Sequence, residues 1–149
     1  MISYKKFQNI LKKSKIYIGD ETVKTQNCLN RVSAINIFCK ENNPSDNNAA
    51  FDGFAISSKD TKRLSKKKSK LFKIIGSIAA GDKPFNKKVK KFSAIEIMTG
   101  GIIPKHFDTI IPIEKIIFYP NKKNSKYIIV NKEVKKYQHV RFKGSDYKK

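Results

Sequence analysis

One stretch, from Pro44 to Ile56, constrains the fold of this chain more than any other. It reads Pro-Ser-Asp-Asn-Asn-Ala-Ala-Phe-Asp-Gly-Phe-Ala-Ile, so turn-forming residues lead into an apolar run. Pro44 fixes its own backbone angle φ and biases the preceding residue toward extended geometry. Asp and Asn side chains can hydrogen-bond their own backbone two residues on, which predicts an ordered loop. Residues 54–56 then predict a buried strand.

Asp52 and Gly53 join this loop to the strand. Asp-Gly is a strong signal for a two-residue β-hairpin turn, and the stretch alone favours that structural interpretation. The functional interpretation is a carboxylate beside a glycine that lets a ligand approach the backbone. Polar loops held by a rigid strand are common places for binding groups, so both interpretations stay open at this point.

The charge of the chain limits its partners without naming one. The 149 residues carry a net charge of +21, which suggests an anionic partner. Nearly all of this charge is Lys, and the arginines are Arg31, Arg63 and Arg141. Proteins that read bases or phosphates favour the planar fork of Arg. We therefore expect nucleic acid to be bound only non-specifically.

Cysteine usage and hydropathy indicate the compartment. Cys28 and Cys39 lack the spacing of a metal or redox motif, which fits a reduced cytoplasmic protein. His106 and His139 lie far from both cysteines, so four zinc ligands are not evident. No apolar run reaches the roughly 18 residues that a membrane helix needs, and the start lacks the apolar core of a signal peptide. We expect no association with a membrane.

Hydrophobic periodicity predicts one helix and many strands. Ser3 can cap a helix over residues 4–13, and the face formed by Phe7, Ile10 and Leu11 is expected to be buried. Asn30 suits a left-handed cap after a helical turn. Strands are predicted at residues 21–25, 32–39, 54–56, 71–78, 94–98, 116–119 and 127–130.

Thr99-Gly100-Gly101 forms a second informative loop, where the strand at 94–98 ends. A Thr hydroxyl followed by two glycines can donate to an anionic oxygen while the backbone comes close to it. The alternative is an ordinary turn at the end of a strand. Because loops at strand ends gather into sites, we expect Asp52 and Thr99 to lie near one another on one exposed rim.

These segments together resemble the N-terminal and linker region of the molybdopterin molybdenumtransferases, the MoeA and gephyrin E-domain type. The first loop is similar to the family's P-x-F-D-N-S-A-M-D-G-Y-A, with departures at Asp46, Asn47 and Ala49. Four further segments are similar in the same order: residues 76–81 to G-x-I-A-A-G, 96–104 to R-I-M-T-G-A-x-x-P, 107–114 to A-D-A-V-V-P-V-E, and 140–146 to I-R-R-R-G-E-D.

The resemblance implies an α+β fold that is elongated. It places a β-rich lobe, mainly strand, over residues 44–130. A smaller helix-and-strand linker lobe would combine residues 1–43 with residues 131–149, so that the N-terminal helix packs with the C-terminal segment.

The resemblance also implies chemistry. Asp52 and Thr99 would be catalytic, with Asp52 as the ligand of Mg²⁺ and Thr99 as a donor to an oxyanion. Asn48, Gly53, Gly100 and Arg141 would contact molybdopterin or molybdate, the substrates of the family's reaction. The family's counterparts of Asp52 and Thr99 reach an α/β domain of the other subunit, which implies a homodimer or a partner that bears that domain.

Two functions are consistent with the sequence. The first is the N-terminal portion of a molybdopterin molybdenumtransferase, which contributes to inserting molybdate into adenylylated molybdopterin. The second is a non-catalytic, basic dimerisation or interaction module derived from that fold. The matching motifs do not include the family's pterin-binding α/β domain, so we expect residues 1–149 not to insert molybdate unaided.

Overall fold

The computed structural model describes residues 1–14 and 18–149, which divide into two compact units, Met1–Phe38 and Cys39–Lys149. In the first unit, helix α1 (Tyr4–Lys13) begins where the sequence predicts. The Ser3 side chain accepts a hydrogen bond from the Lys6 N–H at 3.3 Å and so caps the helix. None of the helices among the described residues is long and apolar enough to cross a bilayer.

The apolar face of α1 differs from the prediction. Phe7, Ile10 and Leu11 remain about half exposed, at 45%, 47% and 55%. A unit of this size offers few apolar side chains with which to cover a helix face, because burial on folding falls steeply as a chain becomes shorter.

The rest of the first unit is largely irregular. A 3₁₀ turn at Thr25–Asn27 leads to Asn30, which has the expected left-handed backbone with φ of 61°. The strand predictions for residues 21–25 and 32–39 are wrong, because these described residues pair with no other strand. An alternating apolar pattern favours extended backbone, but a strand also needs a partner for its hydrogen bonds.

The second unit is built on strands, as predicted, and the α+β class is confirmed. The strands are β1 (Asn48–Ala49), β2 (Gly53–Ile56), β3 (Lys70–Ile78), β4 (Ser93–Ile97), β5 (Thr109–Pro112), β6 (Ile117–Tyr119), β7 (Tyr127–Val130) and β8 (Val140–Arg141). Six of them form one mixed sheet in the order β5-β2-β4-β3-β7-β6, and β1 pairs with β8. Strands β3 and β4 are parallel, whereas the other neighbours are antiparallel.

Both faces of the large sheet are covered. Alternate residues of a strand point to opposite faces, so Phe54 and Ile56 of β2 pack in one cluster and Ala55 in another. All four residues of β2 are buried, since the strand lies between β4 and β5. Burying one large apolar side chain contributes about 1.5–3 kcal/mol, so this buried interior strand holds the loops at its ends in place.

Residues 131–149 pack onto the sheet within the second unit. Thr61 is fully buried, and its Oγ1 accepts from the Val134 N–H at 3.0 Å while donating to the Ser58 carbonyl at 2.8 Å. Farther along, the Asn43 N–H donates to the Tyr147 carbonyl at 2.9 Å. The predicted packing of residues 1–38 with residues 131–149 stays a prediction. The predicted linker lobe, which depends on that packing, stays a prediction too.

Candidate functional site

The loop that carries Asp52 connects two different sheets. Strand β1 before it pairs with β8, and β2 after it pairs with β4 and β5. The two-residue hairpin interpretation of Asp52-Gly53 is therefore wrong, because the flanking strands do not pair with each other. The Asp52 carbonyl accepts from the Ile113 N–H at 3.0 Å, which fixes the backbone of the loop at its end.

Gly53 lets strand β5 come close to this loop. A Cβ atom at Gly53 would lie 2.1 Å from the Ile111 carbonyl oxygen and 2.9 Å from the Pro112 Cα. Real Cβ atoms do not approach backbone this closely, so glycine is required by packing. The close approach of β5 explains the glycine, and the cofactor-binding role of Gly53 stays a prediction.

The Thr99 loop is joined to the Asp52 loop by backbone hydrogen bonds. The Gly100 N–H donates to the Ala49 carbonyl, and the Ala49 N–H donates to the Gly101 carbonyl, both at 2.9 Å. Gly100 has φ of +83°, a left-handed backbone that glycine adopts without strain. These bonds bring the ends of β4 and β1 together and set Thr99 beside Asp52.

Asp52 and Thr99 are in direct contact on an exposed rim, as the sequence predicts. Oδ1 of Asp52 accepts from the Thr99 backbone N–H at 2.6 Å and from its hydroxyl at 2.7 Å. Among the described residues, Oδ2 of this exposed side chain has no hydrogen-bond partner, so its lone pairs are available.

Asp52 is held in its ionised form. The hydrogen bond from the Thr99 backbone, and then that from the Thr99 hydroxyl, lower the pKa of the Asp52 carboxyl below its ordinary value of 3.8. Hydrogen bonds to the charged form always act in this direction. The rim therefore presents a fixed negative charge at neutral pH.

Asn48 and Arg141 are paired across β1 and β8, so the structure brings two further predicted site residues together. Oδ1 of Asn48 is buried and lacks a hydrogen-bond partner among the residues that the structure describes. The Arg141 side chain forms an ion pair with Asp146. A buried acceptor without a donor is unusual and marks this strand pair as a place where a further group could bind.

The described residues contain no cluster of three or more His, Cys, Asp or Glu side chains that could hold a metal ion. The Asp52 rim can supply one ionised, exposed oxygen. Mg²⁺ in proteins commonly takes one or two carboxylates and completes its shell with water and substrate phosphates. One oxygen from Asp52 fits such a partial site, in which the remaining ligands come from other molecules.

An aromatic contact that no local sequence pattern indicates lies beside the rim. The rings of Phe51 and His139 meet edge to face, with centroids 4.7 Å apart. His139 has a left-handed backbone with φ of 58°, and its carbonyl accepts from the Ala50 N–H at 3.0 Å. Histidine is among the residues that tolerate this backbone conformation. No pattern in the sequence around either residue predicts that His139 contacts Phe51.

Comparison with known proteins defines the class to which this fold and rim belong. Residues 2–149 match the family described as MoeA N-terminal region, domain I and II. The chain is 32% identical over 130 residues to the molybdopterin molybdenumtransferase of Haemophilus influenzae, which covers 87% of this chain and 30% of that protein. The corresponding protein of Staphylococcus epidermidis is 26% identical over 147 residues, or 99% of this chain and 34% of its own length.

A solved structure agrees with this assignment. The molybdopterin biosynthesis MoeA protein from Pyrococcus horikoshii superposes with a TM-score of 0.74 and 28% identity, covering 99% of this chain and 36% of that one. The chain belongs to the MoeA N-terminal region family. It spans about a third of the length of these relatives.

Proposed function

We propose that this chain supplies the N-terminal region of a molybdopterin molybdenumtransferase and acts in molybdenum cofactor biosynthesis in the cytoplasm. The observation that carries the proposal is the Asp52–Thr99 pair, which holds an ionised carboxylate on an exposed rim. It is supported by the relatives described above, which are molybdopterin molybdenumtransferases. The reaction is the insertion of molybdate into adenylylated molybdopterin.

Asp52 provides the charge in this proposal. When bound, Mg²⁺ supplies positive charge that offsets the phosphate and molybdate oxygens of the substrates. In this proposal Oδ2 of Asp52 would hold that ion or one of its water molecules, because Oδ1 already accepts two hydrogen bonds from Thr99. Because the hydrogen bonds from Thr99 lower the pKa of the Asp52 carboxyl, this oxygen carries no proton at neutral pH.

Thr99 acts by positioning Asp52. Its hydroxyl carries one hydrogen, and that hydrogen is donated to Oδ1 together with the backbone N–H. The role expected from the sequence, donation to an oxyanion of the substrate, would require the hydroxyl to rotate away from Asp52. We therefore assign Thr99 to the orientation and ionisation of the carboxylate.

The rim contributes one side of a shared site. We propose that it faces a family α/β domain, which binds the pterin, in another subunit of a homodimer or in a separate partner. The exposure of Asp52 and Thr99 supports this arrangement, since a carboxylate committed to a single-chain site would be expected to lie in a cleft.

Complementation tests this proposal. A strain without molybdenum cofactor receives a family protein disabled at its counterpart of Asp52, with or without residues 1–149, and the activity of a molybdoenzyme is measured. We expect the chain to restore activity by donating its rim, and Asp52→Asn to abolish the rescue. Activity from residues 1–149 alone would contradict the proposed division of the site.

A second function is favoured by a different observation. Apolar side chains in residues 29–38 are largely exposed, among them Leu29 at 84%, Val32 at 96% and Phe38 at 82%. Exposed apolar side chains on this scale favour an interaction surface. The chain would then be a basic dimerisation or interaction module without catalytic function. Rescue that persists with Asp52→Asn would support this module and overturn the catalytic role of the rim.

A further inference from the structure

The two edge strands of the large sheet differ in what lies beside them. Strand β5 is covered by a later segment, because the Ile110 N–H donates to the Gln138 carbonyl and the Thr109 hydroxyl donates to the Lys135 carbonyl, both at 3.0 Å. Strand β6 is the opposite edge. Among the described residues, its backbone hydrogen bonds run only to β7 and to the turn that joins the two strands. An edge strand with one unpaired side offers free N–H and C=O groups to another chain.

The side chains of β6 alternate between the core and the surface. Phe118 packs inward, and its ring meets that of Phe54 edge to face with centroids 5.9 Å apart. Ile117 and Tyr119 point the other way and are each 48% exposed. The core therefore fixes the backbone of β6, while two apolar side chains stand ready to contact the side chains of an added strand.

A lysine-lined cleft of about 560 Å³ lies at the end of β6. The turn that forms it is ordered by two hydrogen bonds, from the Lys126 N–H to the Tyr119 carbonyl at 3.1 Å and from the Asn124 N–H to Asn121 Oδ1 at 3.0 Å. Within the part of the chain that the structure describes, no carboxylate lines the cleft and no ion pair involves its lysines. The residues that line it are Pro120, Lys123, Asn124, Ser125 and Lys126.

Charge decides what kind of strand this edge accepts. Lys115 precedes β6 and Lys122 follows it, so lysines stand at both ends of the strand. Two copies of this chain that paired through β6 would bring these lysines together in either strand direction, and each copy carries a net charge of +21. Like charges that face each other across paired strands are destabilising. The edge therefore favours an acidic partner over a second copy.

We propose that the open edge of β6 binds an extended acidic peptide segment of another protein by strand addition. The backbone of the peptide pairs with β6, its apolar side chains contact Ile117 and Tyr119, and its carboxylates lie at the lysines of the adjoining turn. In binding of this type, main-chain hydrogen bonds provide affinity and alternate side chains provide specificity.

Peptides with the same charge and different backbones test the proposal. The probe is a capped seven-residue peptide of alternating Glu and Val, and binding to residues 1–149 is followed by amide NMR shifts. Two further versions carry N-methyl groups on the Glu amides or on the Val amides. Because successive N–H groups of a strand point to opposite sides, one version should lose its bonds to β6 and bind at least about fivefold more weakly, the effect of two lost hydrogen bonds.

The outcomes separate strand addition from general attraction between charges. We expect shifts centred on residues 117–126 and no measurable binding of a peptide with Lys in place of Glu. Equal affinity of the parent peptide and both methylated versions would overturn the proposal, as would shifts centred elsewhere or equal binding of the Lys peptide.

Lysine variants locate the acidic side chains of the peptide. Lys123→Gln and Lys126→Gln should each weaken the Glu-Val peptide by about two- to fivefold, the range of an exposed ion pair. Lys66→Gln, an exposed lysine outside the cleft, is the matched control and should change the affinity by less than half as much. Equal losses in the cleft and control variants would show non-specific attraction and overturn the proposal.

Discussion

The hydroxyl and the backbone N–H of Thr99 both donate to the same oxygen of Asp52, at 2.7 and 2.6 Å. The two residues are 47 positions apart in the chain, and the ends of β2 and β4 bring them together. Because one oxygen takes both donors, the other is left for a ligand.

Thr99→Val is expected to raise the pKa of Asp52 toward its ordinary value, since the variant removes the hydroxyl donor and keeps the backbone N–H. Any stability that ionised Asp52 contributes is present above pH 3.8 and is lost as the pH falls through the lower, folded pKa. A ¹³C NMR titration of the Asp52 carboxyl measures the shift. Thr99→Ser keeps the donor and is the control; an unchanged pKa in Thr99→Val would contradict the hydrogen bond.

Gly53→Ala should destabilise the second unit by about 1–3 kcal/mol, the usual cost of overpacking, or prevent its folding. The added Cβ would lie 2.1 Å from the Ile111 carbonyl oxygen, so the backbone of β5 must move. Urea denaturation measures the loss. Gly19→Ala is the control, since nothing lies within 4 Å of its added Cβ, and it should change stability by less than about 0.5 kcal/mol. A similar small effect at Gly53 would show that β5 does not pack as described.

Thr61→Val should cost about 1–3 kcal/mol, although the shape of the side chain is conserved. The buried hydroxyl donates to the Ser58 carbonyl and accepts from the Val134 N–H, and both groups would lose their partner. Thermal unfolding and hydrogen exchange at the Val134 amide measure the effect. Thr61→Ser keeps the hydroxyl and should retain most of the amide protection. Unchanged exchange in Thr61→Val would mean that this bond does not hold residues 131–149 to the sheet.

DNA should bind weakly and without sequence preference, because the net charge of +21 is spread over lysines. For each phosphate contact, the logarithm of the binding constant falls by about 0.9 when the salt concentration rises tenfold. Two contacts would therefore weaken the affinity about tenfold between 50 and 200 mM salt. Fluorescence anisotropy with two unrelated duplexes of equal length measures both properties. Affinity that persists in high salt, or a preference for one duplex, would contradict a purely electrostatic attraction.

The sequence predicts the rim well because its signals are local. Asp52 and Thr99 both stand at glycine-containing strand ends, and chain geometry gathers such ends at one edge of a sheet. The helix at Tyr4–Lys13 is equally predictable from the sequence, because Ser3 is a recognisable N-cap residue.

Other features depend on distant contacts that no local pattern encodes. Residues 32–39 have the alternation of a strand, yet strand formation also requires a partner, which the sequence does not reveal. The close approach of the Ile111 backbone, which requires glycine at position 53, could not be read from the local sequence. The contact of Phe51 with His139 joins segments that are widely separated along the chain.

The proposed part of the Asp52 carboxylate in molybdate insertion can be examined in a chimera. Residues 1–149 replace the matching third of the Haemophilus influenzae protein, and the rate of molybdate-dependent cofactor formation is measured with purified protein. We expect an active chimera whose rate falls at least about tenfold with Asp52→Asn, while its unfolding temperature is unchanged. An Asp52→Asn chimera as fast as its parent would show that the carboxylate takes no part in the reaction.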